Sequence, residues 1–200
     1  MCTTLVNPAA PGSVRRSVSR QVTVTRAGLA LGWAAALVVA VGDKVPTTDT
    51  ELPAAAAFVL SSYPLIDVIA SLVGAKFADT RVLRINAAVS AFAVVGISIA
   101  AFGSDAGSTL AAFGVWAAGS GAIQFGMALH RRRAHGGQLP MIISGGLSTL
   151  AGLSFVVASR NSEAKLAALA GYMAFGAVLY LWFARRGPAR STAVGPDHRR

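Results

Sequence analysis

Charge is what this sequence has least of. Only 13% of its 200 residues are Asp, Glu, Lys or Arg, against roughly 25% in a water-soluble domain. Acidic residues are the scarcer kind, 8 against 18 basic, and the charges stand in short islands between apolar stretches. Such a chain cannot solvate a globular surface, so the surface left bare must face lipid. Cysteine is nearly absent too. Cys2 alone excludes an intrachain disulfide and a thiolate metal cluster, and without a lipidation motif beside it, it reads as a tail residue. No Ser/His/Asp set, HExxH, Walker loop or GxGxxG before a helix is found. No catalytic residue, metal or cofactor is therefore expected, and the chain is not read as an enzyme.

What is there is apolar: 54% of the residues are hydrophobic and the mean hydropathy is +0.58. Six apolar runs follow one another: 27–42, 53–75, 85–103, 109–129, 139–158 and 166–184. About 20 helical residues at 1.5 Å rise cross a hydrocarbon core of roughly 30 Å. In lipid the backbone must satisfy its own hydrogen bonds, so these runs predict helices. Barrel strands would alternate apolar and polar residues, and these do not. The expected fold is all-α, a polytopic membrane protein of six transmembrane helices. The first run is the shortest and reads as an uncleaved span, not a signal peptide. Residues 27–184 form the expected membrane domain, with disordered basic tails at 1–26 and 185–200.

The net charge of +10 would suit nucleic-acid binding, but the basic residues flank apolar runs and no nucleic acid is expected. Placing the N-terminus inside puts 15 of the 18 basic residues in inside segments, including Arg26, Lys76, Arg84, Arg131, Arg132, Arg133 and Arg185. Only Lys44, Arg160 and Lys165 fall outside. That bias predicts a bacterial inner-membrane protein with both termini cytoplasmic. The partners expected are the bilayer itself, anionic headgroups at the Arg131–Arg133 flank, and either a second copy of the chain or another membrane protein. His130 and His135 beside that flank read as part of the same interfacial surface.

The spans also repeat. Pairs four residues apart recur at 58-residue offsets on the odd helices: Gly28 and Gly32, Asn86 and Ser90, Ser144 and Ser148. On the even helices Asp67, Gln124 and Tyr180 recur at offsets of 57 and 56, with Trp116 and Tyr172 eight residues earlier in the last two. Three parallel-repeat hairpins about an axis along the membrane normal are expected. Gly28, Gly32, Ser90 and Ser148 would serve as small helix-packing residues.

Between the fourth and fifth spans lie Phe113-Gly114-Val115-Trp116-Ala117, Gly121-Ala122-Ile123-Gln124, and the run Gly136 to Ser148 followed by Ala151-Gly152. These stretches resemble the HdeD-like short-repeat membrane proteins, as do Tyr63 to Asp67 and Asn86 to Ser90. The resemblance implies a six-helix inner-membrane protein linked in some members to acid stress, with no catalytic residues to carry over.

Asp67 is the only acidic residue inside an expected span. An ionised carboxylate at mid-bilayer costs about 2.5–3.5 kcal/mol on insertion scales, and such residues face a cavity or a partner. Nine residues before Lys76, it should lie about 13 Å from the cytoplasmic edge. Pro64, one turn earlier, removes a backbone donor and should kink the helix. If the hairpins close around an axis, Asp67 and Gln124 converge with Tyr180 near, and Asn86 and Ser144 supply further midspan polarity. Three functions are compatible with this pattern: a non-enzymatic HdeD-like stress protein, a small transporter or channel subunit with proton-coupled Asp67, and an accessory scaffold.

Overall fold

The computed structural model describes residues 11–42, 47–76, 80–132 and 139–185. Six α-helices make up nearly all of them: α1 (Pro11–Val41), α2 (Ala54–Ala75), α3 (Thr80–Gly103), α4 (Ala106–Arg132), α5 (Leu139–Ala158) and α6 (Ala167–Arg185). Five carry stretches long and apolar enough to cross a bilayer: Gln21–Val41, Ala54–Ala75, Arg81–Gly103, Ala106–His130 and Met141–Ala158. The apolar part of α6, Ala167–Trp182, is shorter. The chain is a polytopic helical membrane protein. Its outward side chains fit that solvent, with Val39 82% and Phe92 79% exposed.

The helices close into a ring. Each packs on its neighbours in chain order, and α6 returns to α1. The most extensive contacts are α4 with α5, α2 with α3, and α1 with α6. The broad interfaces therefore lie between the three expected hairpins, and the pairing inside each hairpin is slighter. At α4–α5 the cause is glycine. A Cβ on Gly152 would stand 2.5 Å from the Gly114 carbonyl oxygen, one on Gly121 2.7 Å from the Thr149 nitrogen, and one on Gly145 2.6 Å from the Phe125 nitrogen. Only hydrogen fits at these positions, and backbones meet directly, as small residues permit in lipid.

One end of the ring is sealed. The α1–α2 loop reaches over it: the amides of Ala106 and Gly107 donate to the carbonyls of Thr50 and Thr48 at 2.9 Å, and the Thr48 hydroxyl donates to the Asn161 carbonyl at 2.9 Å. An isolated bridge pairs Thr47 with Glu163. Beneath these loops Leu37, Leu60, Ile97, Leu110, Phe113 and Leu169 are buried together.

Three expectations change. Helix α1 begins at Pro11, so residues 11–26 are helical where a disordered tail was expected; 1–10 and 186–200 lie outside the described residues. By length and composition the first span starts at Gln21 and includes Arg26, whose side chain pairs with Asp67 on the neighbouring α2. Gly28 and Gly32 are exposed, and a Cβ on either would meet open space, so they are not packing residues. Helix α1 turns Ala27, Ala30, Ala34, Leu37 and Val41 to the bundle, a 3–4 spacing that leaves both glycines off the buried face.

Candidate functional site: an ion pair on a cavity wall

Helix α2 carries Asp67 on its buried face, with Ser61, Pro64 and Ser71. The helix runs unbroken through Pro64. The Asp67 side chain is 6% exposed and has three polar partners. Its Oδ1 pairs with the guanidinium of Arg26 on α1. Its Oδ2 accepts from the Asn86 amide at 2.6 Å and from the Ser90 hydroxyl at 2.8 Å, both on α3. Every neighbour donates, which is the environment an ionised carboxylate requires.

The network continues outward from these partners. The Asn86 amide also donates to the Ser71 hydroxyl at 2.9 Å, and the Trp116 indole on α4 donates to the Ser90 hydroxyl at 3.1 Å. The Arg26 guanidinium lies 4.8 Å from the centre of the Tyr180 ring on α6, within cation–π range. The Tyr180 hydroxyl in turn accepts from the Gln124 amide of α4 at 3.1 Å. Ser148 on α5 and Tyr172 on α6 share a hydrogen bond of 2.6 Å, and the Ser148 hydroxyl lies 3.1 Å from the Ala117 carbonyl, which it can also reach.

These groups line one cavity of about 420 Å³, within the range of about 300–1,000 Å³ usual for small-molecule sites. All six helices contribute to its wall. Asp67, Gln124, Tyr180, Asn86 and Ser144 all face it, with Arg26, Ser148 and Tyr172. Its floor is an aromatic cluster: Tyr63 and Trp116 meet edge to face at 5.7 Å, Phe113 meets Trp116 at 5.1 Å, and Phe113 meets Tyr172 at 6.1 Å. Below that cluster lies the sealed core. Leu83, Met127, Met141 and Leu179 line it toward the opposite end of the ring, the end of Lys76, Arg84 and Arg185.

Of the helix-packing expectations, Ser90 is fully buried and Ser148 is half-buried, and both act as hydrogen-bonding groups at helix contacts. Arg131 and Arg132 close α4, and Arg133 and His135 lie outside the described residues. His130, at the last described side chain of α4, is exposed and does not reach the cavity. Among the described residues no cluster of His, Cys, Asp and Glu could hold a metal ion.

Arg26 is the candidate-site residue that hydropathy hides. A basic residue at the start of an apolar run reads as its cytoplasmic flank. The signal that could have found it is Asp67, since an intramembrane acid needs a cation and Arg26 starts the neighbouring span. Comparison with protein-family models, curated proteins and solved structures finds no match to this chain.

Proposed function

We propose that this protein is a non-enzymatic small-solute transporter of the bacterial cytoplasmic membrane, with both termini inside and Asp67 as its proton-coupled group. The observation that carries the reading is the Arg26–Asp67 pair on the wall of a cavity built by all six helices. Two charges taken out of water seldom repay their desolvation, and an apolar pair of similar volume would hold the helices at least as well. Charged groups retained at membrane depth mark pathways and relays. A proton arriving on Asp67 would release Arg26 and change what the cavity can hold, which is the coupling a symporter or antiporter requires.

The orientation rests on the basic residues that flank the spans, which remain strongly one-sided after Arg26 is assigned to the membrane. The test uses liposomes loaded with a pH-sensitive dye and challenged with small organic acids, amines and sugars. At least one solute should move protons with the wild-type protein and fail to do so with Asp67→Asn. Proton movement by Asp67→Asn at the wild-type level ends the reading.

A kinship with the HdeD-like proteins, with a part in acid or envelope stress, is a second proposal. Its support is that Gly114, Gly121, Gly145 and Gly152, which belong to the stretches carrying the resemblance, are the residues at the closest helix contact. The internal repeat has support of the same kind: Trp116 bonds Ser90 as Tyr172 bonds Ser148, an aromatic-to-serine contact made twice at matching positions. Unchanged survival of a deletion strain across several acid challenges would count against the stress role.

A further inference from the structure

We infer that the cavity binds a small monocarboxylate with an apolar body, taken up together with one proton, the ligand replacing Asp67 as the partner of Arg26. This rests on the reading of the cavity as a solute site and names the chemistry of its solute.

The argument is one of charge. Among the described residues that line the cavity, Arg26 and Asp67 are the only charged ones, and they neutralise each other. Asn86 and Ser90, which bond Asp67, are uncharged, and so is every other polar group of the cavity wall from α2 to α6. An anion entering beside the intact pair meets no unpaired cation. Once a proton from the water side sits on Asp67, Arg26 is left with a full, unneutralised positive charge on the cavity wall. One negative charge then restores neutrality, and two would overshoot it. The site therefore exchanges nothing for a proton plus a monoanion.

Geometry selects a carboxylate. Guanidinium presents a planar fork of N–H donors that matches a carboxylate bidentately. The Arg26 fork sits 4.8 Å from the centre of the Tyr180 ring, on the cavity wall. Protonated Asp67 keeps its Oδ2 contacts to Asn86 and Ser90 and presents an O–H to the incoming oxygen. The rest of the wall is apolar or soft, with Ile66, Leu83, Ile123, Met127, Met141 and Phe175, so the ligand's body is hydrocarbon. Methionine side chains adapt to irregular apolar shapes.

Benzoate is a suitable probe, anionic from pH 5.5 to 8, and benzamide is its neutral counterpart. Binding of labelled benzoate to the purified full-length protein in detergent should tighten about tenfold per unit fall in pH where Asp67 gains its proton on binding. Benzamide should bind far more weakly and without that slope. Asp67→Asn leaves Arg26 permanently available, so it should bind benzoate independently of pH and at least as tightly as the wild type at pH 5.5. Should this variant be poorly folded, benzoate should raise its melting temperature more than that of the wild type. The double variant Arg26→Gln/Asp67→Asn is neutral throughout and should show neither binding nor stabilisation.

Three outcomes overturn the inference: pH-independent binding to the wild type, equal binding of benzamide, or benzoate binding retained in the double variant. Absence of benzoate binding in both the wild type and Asp67→Asn does so as well. If that absence accompanies solute-driven proton movement that Asp67→Asn abolishes, the transporter reading stands and only the solute class falls.

Discussion

Removing either member of the Arg26–Asp67 pair should damage the protein more than removing both. In Asp67→Asn the amide keeps the shape of the carboxylate and its oxygen can still accept from Asn86 and Ser90, so the change is chiefly one of charge. Arg26 is then an unpaired cation. Breaking a buried pair on one side costs about 3–5 kcal/mol, while replacing both partners is often neutral. The two single variants should differ. The Asp67 side chain is 6% exposed and the Arg26 side chain 30%, so a lone Arg26 relaxes toward water in the cavity where a lone Asp67 cannot. Arg26→Gln also forfeits the Tyr180 contact, about 0.5–2 kcal/mol. Asp67→Asn should therefore cost about 3 kcal/mol and Arg26→Gln about 5 kcal/mol. At roughly 2–4 °C per kcal/mol for a chain of this length, the melting point of the monodisperse detergent-solubilised protein falls by about 6–12 °C and about 10–20 °C. The double variant should return to within about 4 °C of the wild type. If the losses of the two single variants instead add in the double, within about 0.5 kcal/mol, the two groups are not coupled and the site is misread.

The glycines give a sharper contrast. Gly152→Ala drives a methyl group into the α4 backbone, and should cost about 1–3 kcal/mol as overpacking does. Gly28→Ala meets open space and should leave the melting point unchanged or slightly raised, through better helix propensity. Trp116→Phe keeps the aromatic floor but removes the donor to Ser90. Its cost should be near the average of about 0.6 kcal/mol for a side-chain hydrogen bond in a membrane bundle, and no more than about 1.7 kcal/mol. In a Cys2→Ser background, Asp49→Cys should react with an impermeant maleimide in intact cells, whereas Lys76→Cys should react only after permeabilisation. Both positions are exposed, so the reverse pattern would invert the proposed orientation.

Much of the architecture is legible in the sequence because lipid imposes it. A run such as 54–75 has one viable backbone in hydrocarbon, so length and composition suffice to place α2. The convergence of Asp67, Gln124 and Tyr180 on one cavity is visible as their 57- and 56-residue spacing. Two things were hidden, for different reasons. Glycine at 28 and glycine at 152 are the same letter, and only the direction in which each helix turns its face makes one a lipid-facing gap and the other a point of backbone contact. Hydropathy treats Arg26 as a boundary, because it scores the residue in isolation. Its cost in the membrane is set by Asp67, 41 positions further along and on another helix.

The ring is unevenly fastened, and the unevenness points to where a solute would pass. Helices α4 and α5 are locked by glycine-mediated backbone contact, and the loops at 47–50, 104–107 and 159–163 tie the sealed end together. Helices α5 and α6 touch far less than any other neighbours in the ring, yet both supply much of the cavity wall: Ser144, Leu147 and Ser148 from one, Tyr172, Phe175 and Leu179 from the other. The 2.6 Å bond between Ser148 and Tyr172 spans this seam, directly above the aromatic floor. A helix pair held by few contacts opens at lower free energy than one held by many, so in the proposed transporter movement belongs at the seam and not at the α4–α5 contact. Arg26 reaches Tyr180 on the α6 side and Asp67 on the α2 side. In the proposed cycle, the charge that would answer to a proton on Asp67 is thus also in contact with one wall of that seam.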